Sequence, residues 1–366
     1  MKAWWPLLLT WLLPIPVFAA LTVTRIDIVN APTPLWEEKV EVEIGRANRF
    51  LCKSFVDLPD FVRIFKTDRG PEYDTSLGMI FIHQDYLPVH LYHEYGHKVL
   101  DNYLQSRSAV LGYYRLRKRL GGDPLQQALE KLQSEIISDQ QYLRQLQQKQ
   151  RKKMAGNLSR WIGDHEALVF EASAVMHLDD QLDSPFKRIQ TPRTSLTVFQ
   201  MLAPYHELFA DTFAVLMTGR WDSISMVGAT GDGNAMRLGF VNLSPRVSHA
   251  DILPYRAFNR YVVLDFYEFS EQEKDSYYTQ FAPMRSYIRY LYEQQFEADP
   301  DLLVRYLAEA IQQQMELRLS SRQHLLLTLT ELNKGLIASL QRRVEVSRIY
   351  RADNCNDNVS AIGQIN

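Results

Sequence analysis

The sequence predicts an α+β protein, mostly α, with a small sheet near its N-terminus. Three observations predict this class. Short alternating runs rich in β-branched residues fall only before residue 84. Beyond that point apolar residues recur at spacings of three and four over long stretches. A chain of 366 residues with 46% hydrophobic content can build a substantial core.

The first residues read as a targeting segment. Met1 and Lys2 give a short positive start to an almost wholly apolar run over 3–18, and Val17-Phe18-Ala19 sets small residues where a signal peptidase reads. A signal peptide over 1–19 is expected, with an uncleaved anchor as the alternative. Pro6, Pro14 and Pro16 weaken the run as a spanning helix. No other stretch is long and apolar enough to cross a bilayer, so the mature chain is expected to be exported: periplasmic, secreted or lumenal. Cys52 and Cys355 are the only cysteines, and an oxidising compartment would let them pair and tie the two ends of the chain. Asn157, Asn242 and Asn358 open glycosylation acceptor triplets, which matter only in a glycosylating host. The net charge of −2 makes no case for nucleic acid.

Residues 21–29 and 38–44 alternate and are expected to be strands, with a helix over 46–58 and a further strand at Phe61–Phe65. Turn residues fill 68–76. Gly78–His83 is then a strand, and Pro88 suits the first turn of a helix that runs on through Tyr113-Tyr114 until Gly121-Gly122-Asp123-Pro124 breaks it. Residues 125–153 carry a narrow apolar seam (Leu125, Leu129, Leu132, Ile136, Leu143, Leu146) and end in a basic cluster over Lys149–Lys153. This length predicts a helical hairpin inserted over 105–160. Contact of the 125–153 helix with a membrane surface or a partner stays open beside the plainer reading of a solvated helix end. Helices are expected over 164–178 and over a segment that stops at Gly219. A Pro- and Thr-containing loop joins them across 183–197. Residues 221–250 look irregular. Their glycines at 228, 231 and 233 are not a phosphate loop, because no Lys-Ser/Thr follows. Amphipathic helices are expected over 284–297, 301–318 and 321–349. The division is therefore 20–104 for sheet and first motif helix, 105–160 for the hairpin, 161–220 for the second motif, and 221–366 for a mostly helical C-terminal region.

The stretch His93-Glu94-Tyr95-Gly96-His97 organises the chain. Residues four apart on a helix share a face, so His93 and His97 point at one spot and can each give a nitrogen to a zinc ion. Glu94, one position on from His93, is placed to take a proton from an attacking water. A chain of this composition matches such a pattern by accident roughly once in a hundred. A second stretch, 206–214, reads His-Glu-Leu-Phe-Ala-Asp-Thr-Phe-Ala. Glu207 and Asp211 are again one turn apart: Glu207 is expected as the third ligand, and Asp211 could accept the outward N–H of a ligating histidine. Ala210 leaves room for the two helices to approach. His165, Glu166 and Glu171 form a rival set, but neither glutamate has an aspartate four residues on.

His-Glu-x-x-His followed at a distance by Glu-x-x-Ala-Asp resembles the gluzincin metallopeptidases, the clan of thermolysin, neprilysin and the CAAX prenyl proteases. The resemblance covers the two motif helices, 77–102 and 200–218. A metzincin pattern is excluded by Leu100 and Tyr103. The resemblance implies a zincin-like core and an edge strand at 78–83 that pairs with an extended substrate. It also implies an oxyanion donor downstream of Glu207. His249 is the first candidate, Tyr255 and Arg256 follow, and His206 and His90 stand in reserve. The implied activity is zinc-dependent hydrolysis of a peptide or protein substrate, as an endopeptidase rather than an exopeptidase. A catalytically silent binding or scaffold protein and an amidase acting on a cell-wall or other non-peptide amide are the alternatives. Glu94 argues against the first, since a purely structural site has no need of a base.

Overall fold

The structure is a computed structural model, and it describes residues 24–224 apart from 56–57, 69, 76, 183 and 191–194, together with Phe258, 280–320 and 328–347. Its architecture is mostly helical with one four-stranded sheet near the N-terminus.

The sheet is built from β1 (Arg25–Val29), β2 (Phe61–Thr67), β3 (Glu72–Asp74) and β4 (Met79–His83), in the order β1-β2-β4-β3. β1 and β2 run parallel with Ile26 opposite Val62, β2 and β4 run parallel with Ile64 opposite Ile80, and β3 pairs antiparallel with β4. A tight turn joins β3 to β4, and Gly78 supplies the positive φ of 65° that it needs. β4 therefore lies between two strands. The expected edge strand at 78–83 is an interior one, and the edge beside it is β3.

Helix α1 (Pro34–Leu51) replaces the strand expected at 38–44 and absorbs the start of the helix expected at 46–58. Val40, Val42 and Ile44 alternate, but Val40, Ile44, Ala47 and Leu51 also keep helical spacing. These four are buried while Val42 is exposed. The local signals favour the helix too: Thr33 caps it by accepting the Trp36 N–H at 3.2 Å, and Pro34 sits in the first turn.

Helix α2 (Pro88–Arg107) carries the first motif. It does not run on through Tyr113-Tyr114. Ser108 takes extended backbone, ends α2 and caps α3 (Ala109–Leu120) by accepting the Leu111 N–H at 3.3 Å. The break lets α3 turn away from the α2 axis. Helices α4 (Leu125–Gln148) and α5 (Lys152–Val175) pack together as the hairpin. The hairpin thus starts and ends later than the expected 105–160, and the helix expected over 164–178 is the far half of α5.

Helix α6 (Val198–Thr218) carries the second motif. Thr197 and Gln200 cap it reciprocally, and Gly219, at φ 67°, terminates it. It packs against α2 and against the C-terminal helices α7 (Ala282–Leu291) and α8 (Pro300–Ser320), with α9 (Leu329–Ser347) lying on α8. A single π turn over Tyr292–Phe296 extends α7. Ser54 donates a buried hydrogen bond to Asp301, tying the end of α1 to the start of α8. Cys52 is disulfide-bonded, whereas Cys355, the only other cysteine of the chain, lies outside the described residues. No helix among the described residues is long and apolar enough to cross a membrane.

Candidate metal centre

Helices α2 and α6 approach closely at the motif residues. A Cβ added to Gly96 would stand 3.0 Å from the Ala210 Cα and 3.3 Å from the Phe213 ring. Glycine at 96 and alanine at 210 are what let the two backbones meet here. Tyr92 and Tyr95, both buried, donate to Glu43 and Asn48 on α1, so the back of α2 is fixed against α1.

This approach brings His93, His97 and Glu207 together. The two Nε2 atoms are 3.1 Å apart, and the Glu207 carboxylate oxygens stand 3.5 Å from the nitrogen of His93 and 3.7 Å from that of His97. Ligands about 2.0–2.1 Å from a tetrahedral zinc ion are about 3.3–3.4 Å from one another, because a tetrahedron's edge is about 1.63 times its radius. The separation of the two nitrogens is a little under that edge, and each Glu207 oxygen stands a little beyond it from one of the two nitrogens. Two imidazoles and one carboxylate are a donor set of the kind that can hold a zinc ion and leave a fourth position open. A Glu94 carboxylate oxygen lies within 4.8 Å of a ring nitrogen of each histidine, and its side chain is buried. That places it beside the donors.

Asp211 lies 3.1 Å from Nδ1 of His93 through one oxygen. The separation is of hydrogen-bond length, although the ring N–H is not well aimed along it. A carboxylate at Nδ1 favours the tautomer that leaves Nε2 free to ligate. Burial works against a charged His93, but Asp211, Glu94 and Glu207 outweigh it and raise its pKa. The other Asp211 oxygen accepts from Arg285 of α7, at 2.7 Å from Nη2 and 3.2 Å from Nε, with both side chains fully buried. The chain Arg285–Asp211–His93 links the C-terminal region to the donor cluster.

On the far side of His97 a second polar group is buried. The Tyr73 ring of β3 stacks on the His97 imidazole at 6.2 Å and 10°. Its hydroxyl donates to Asp101 at 2.7 Å, and Arg115 donates to the same oxygen at 3.2 Å. Burial would raise the Asp101 pKa, but Arg115 and its other neighbours hold it below the usual value. His206 also stacks on His97, at 6.3 Å. Burial depresses its pKa, and its Nδ1 stands 3.9 Å from Asp101, beyond hydrogen-bond reach.

The remaining sequence candidates fall elsewhere. Glu166 accepts from Gln140 at 3.0 Å on the exposed hairpin surface, and Glu171 pairs with Arg119 at 3.6 Å. His165 is within 2.8 Å of the Trp161 carbonyl. His90 receives the Leu87 N–H on Nδ1 at 3.4 Å, a helix-start contact, and burial next to His93 takes its pKa down to about 4. The proposed oxyanion donors His249, Tyr255 and Arg256 lie outside the described residues. Sequence reasoning missed Arg285, Tyr73 and Asp101. Asp101 stands four residues after His97, a spacing the sequence displays; Arg285 carries no local signal, because only the tertiary fold brings it to Asp211.

No family model, curated protein or solved structure matches the chain.

Proposed function

We propose that this chain is an exported, zinc-dependent metallopeptidase of the gluzincin type. The observation that supports it most is the convergence of His93 Nε2, His97 Nε2 and the two oxygens of the Glu207 carboxylate from two helices at 3.1–3.7 Å, with the buried Glu94 carboxylate nearby. In this reading His93, His97 and Glu207 hold the zinc ion. Zinc, when bound, supplies a Lewis acid that polarises the scissile carbonyl and makes water acidic at neutral pH. Glu94 takes the proton of the attacking water and hands it to the leaving amine. Asp211, held by Arg285, keeps His93 in the ligating tautomer. Tyr73, held by Asp101, braces the His97 ring by stacking.

Strand addition by the substrate moves from 78–83 to β3. Both sides of β4 are already paired, while β3 is an edge strand of the sheet and its Tyr73 ring centroid lies 6.2 Å from that of His97. Export rests on the apolar run over residues 3–18.

The test is hydrolysis by the purified, zinc-loaded protein of casein, a peptide library and cell-wall material in parallel. Cleavage of casein or peptides by the wild type and not by Glu94→Gln supports the reading. Release of products from cell-wall material alone replaces the peptidase with an amidase. No turnover of any of the three, with zinc bound, assigns the site to a binding protein.

A further inference from the structure

The α4–α5 hairpin separates charge sharply. Residues 141–163 contain six cations (Arg144, Lys149, Arg151, Lys152, Lys153 and Arg160) and no Asp or Glu. The whole chain carries −2, so the rest of it carries −8. Uneven charge of this kind needs a reason, because like charges close together in a chain repel one another.

The structure shows which of these cations are committed. Arg160 reaches Asp27 of β1 at 3.2 Å, and four residues on Asp164 receives Arg63 of β2 at 2.8 Å. These two pairs pin the middle of α5 to the sheet. From Arg160 back to Arg151 the helix runs nine residues, so the apex stands about 13 Å further along its axis. At that apex Arg144, Lys149, Arg151 and Lys152 are exposed and form no ion pair among the described residues. Most of the core's arginines are used differently: Arg63, Arg115 and Arg285 are all engaged by carboxylates.

Apolar side chains are left in the water on the same two arms. Tyr142 and Met154 are each 46% exposed, while Leu146 and Ala155 are buried. Long cations beside half-exposed aromatic and thioether side chains suit a lipid headgroup layer. There the charged tips meet phosphates, and the apolar bodies reach the acyl boundary. A convex apex offers no groove to follow a nucleic-acid backbone, but it can rest on a flat surface.

We propose that the hairpin apex, residues 142–154, docks the protein onto the surface of a bilayer rich in anionic lipid. The docking is electrostatic and reversible, and it does not depend on the metal centre. It would hold the protein against the membrane independently of the N-terminal apolar segment.

The experiment is co-sedimentation of the full chain with vesicles. One set is phosphatidylcholine alone, and the other contains about 30% phosphatidylglycerol, each at low and high salt. The variant is R144Q/K149Q/R151Q/K152Q. These four side chains are exposed, and unchanged circular dichroism and melting verify the fold. Each cation near an anionic surface strengthens binding about fivefold, so four together approach several hundredfold. The wild type should bind the anionic vesicles at least tenfold more tightly than the neutral ones, and salt should erase the difference. The variant should bind both sets alike. Any binding through the N-terminal apolar segment appears equally in both proteins and both lipids, so it cancels. Equal binding of wild type and variant to anionic vesicles overturns the proposal. So does a wild type with no preference for anionic lipid, or one that binds heparin or DNA but not vesicles.

Discussion

Replacing Gly96 with alanine tests how the candidate centre is assembled. The new methyl would stand 3.0 Å from the Ala210 Cα, against about 3.5–4.0 Å for relaxed carbon contacts, so α2 and α6 must separate by about 0.5–1 Å. Two effects on stability oppose each other. Overpacking costs about 1–3 kcal/mol, while alanine in place of a helical glycine gains about 1 kcal/mol. The net loss is then only about 0–2 kcal/mol, too small for melting to report the separation clearly. The donor geometry is more sensitive. Glu207 already sits 3.5 and 3.7 Å from the two nitrogens, the long side of a zinc tetrahedron's edge. A further half ångström strains the third ligand beyond the tolerance of a preorganised site. Zinc affinity, measured by competition with a chromophoric chelator, should fall about 10–100-fold, in the range seen when a supporting contact is lost. Gly163→Ala is the control. It lies in the exposed face of α5, a Cβ there meets nothing within 4 Å, and zinc affinity should not change. Gly96→Ala with zinc affinity within about threefold of wild type would show that close approach of the two helices does not set the site.

Other substitutions probe single links. Glu94→Gln should keep zinc and fold while hydrolysis falls by about 10²–10⁴; wild-type turnover removes Glu94 from the mechanism. Glu207→Ala should strip the metal and Asp211→Asn weaken it about 10–100-fold. Metal lost in Glu171→Ala but kept in Glu207→Ala would reassign the third ligand. Arg285→Met leaves Asp211 a buried charge without its guanidinium, so chemical denaturation should show a loss of about 3–5 kcal/mol. A loss below about 1 kcal/mol means that Asp211 is held by other contacts.

Much of the site was legible because it is local. The i, i+4 spacing of His93 to His97 and of Glu207 to Asp211 fixes a shared helix face before any tertiary contact forms. Ala210 reads as a small residue for close approach, and Gly96 completes that contact from the facing helix. The parts that were not legible depend on distant segments. Arg285 reaches Asp211 across 74 positions, and Tyr73 reaches Asp101 across 28. The fold errors have local causes. Val40, Val42 and Ile44 satisfy a strand period as well as a helical one, and the tie is broken by the Thr33 cap and Pro34. Ser108 breaks α2 from α3 because its hydroxyl offers the next helix a cap, a weak signal inside an unbroken apolar pattern. The position of β4 inside the sheet follows from the three-residue strand β3 in a turn-rich stretch, too short to show a period.

The most direct measurement is metal content. The purified protein, dialysed against zinc and then against buffer, should carry one equivalent by mass spectrometry of the elements. His97→Ala and Glu207→Ala, folded by circular dichroism, should carry none. Zinc at well below one equivalent in the wild type, or zinc retained at one equivalent in both variants, would contradict the assignment of His93, His97 and Glu207 as its ligands.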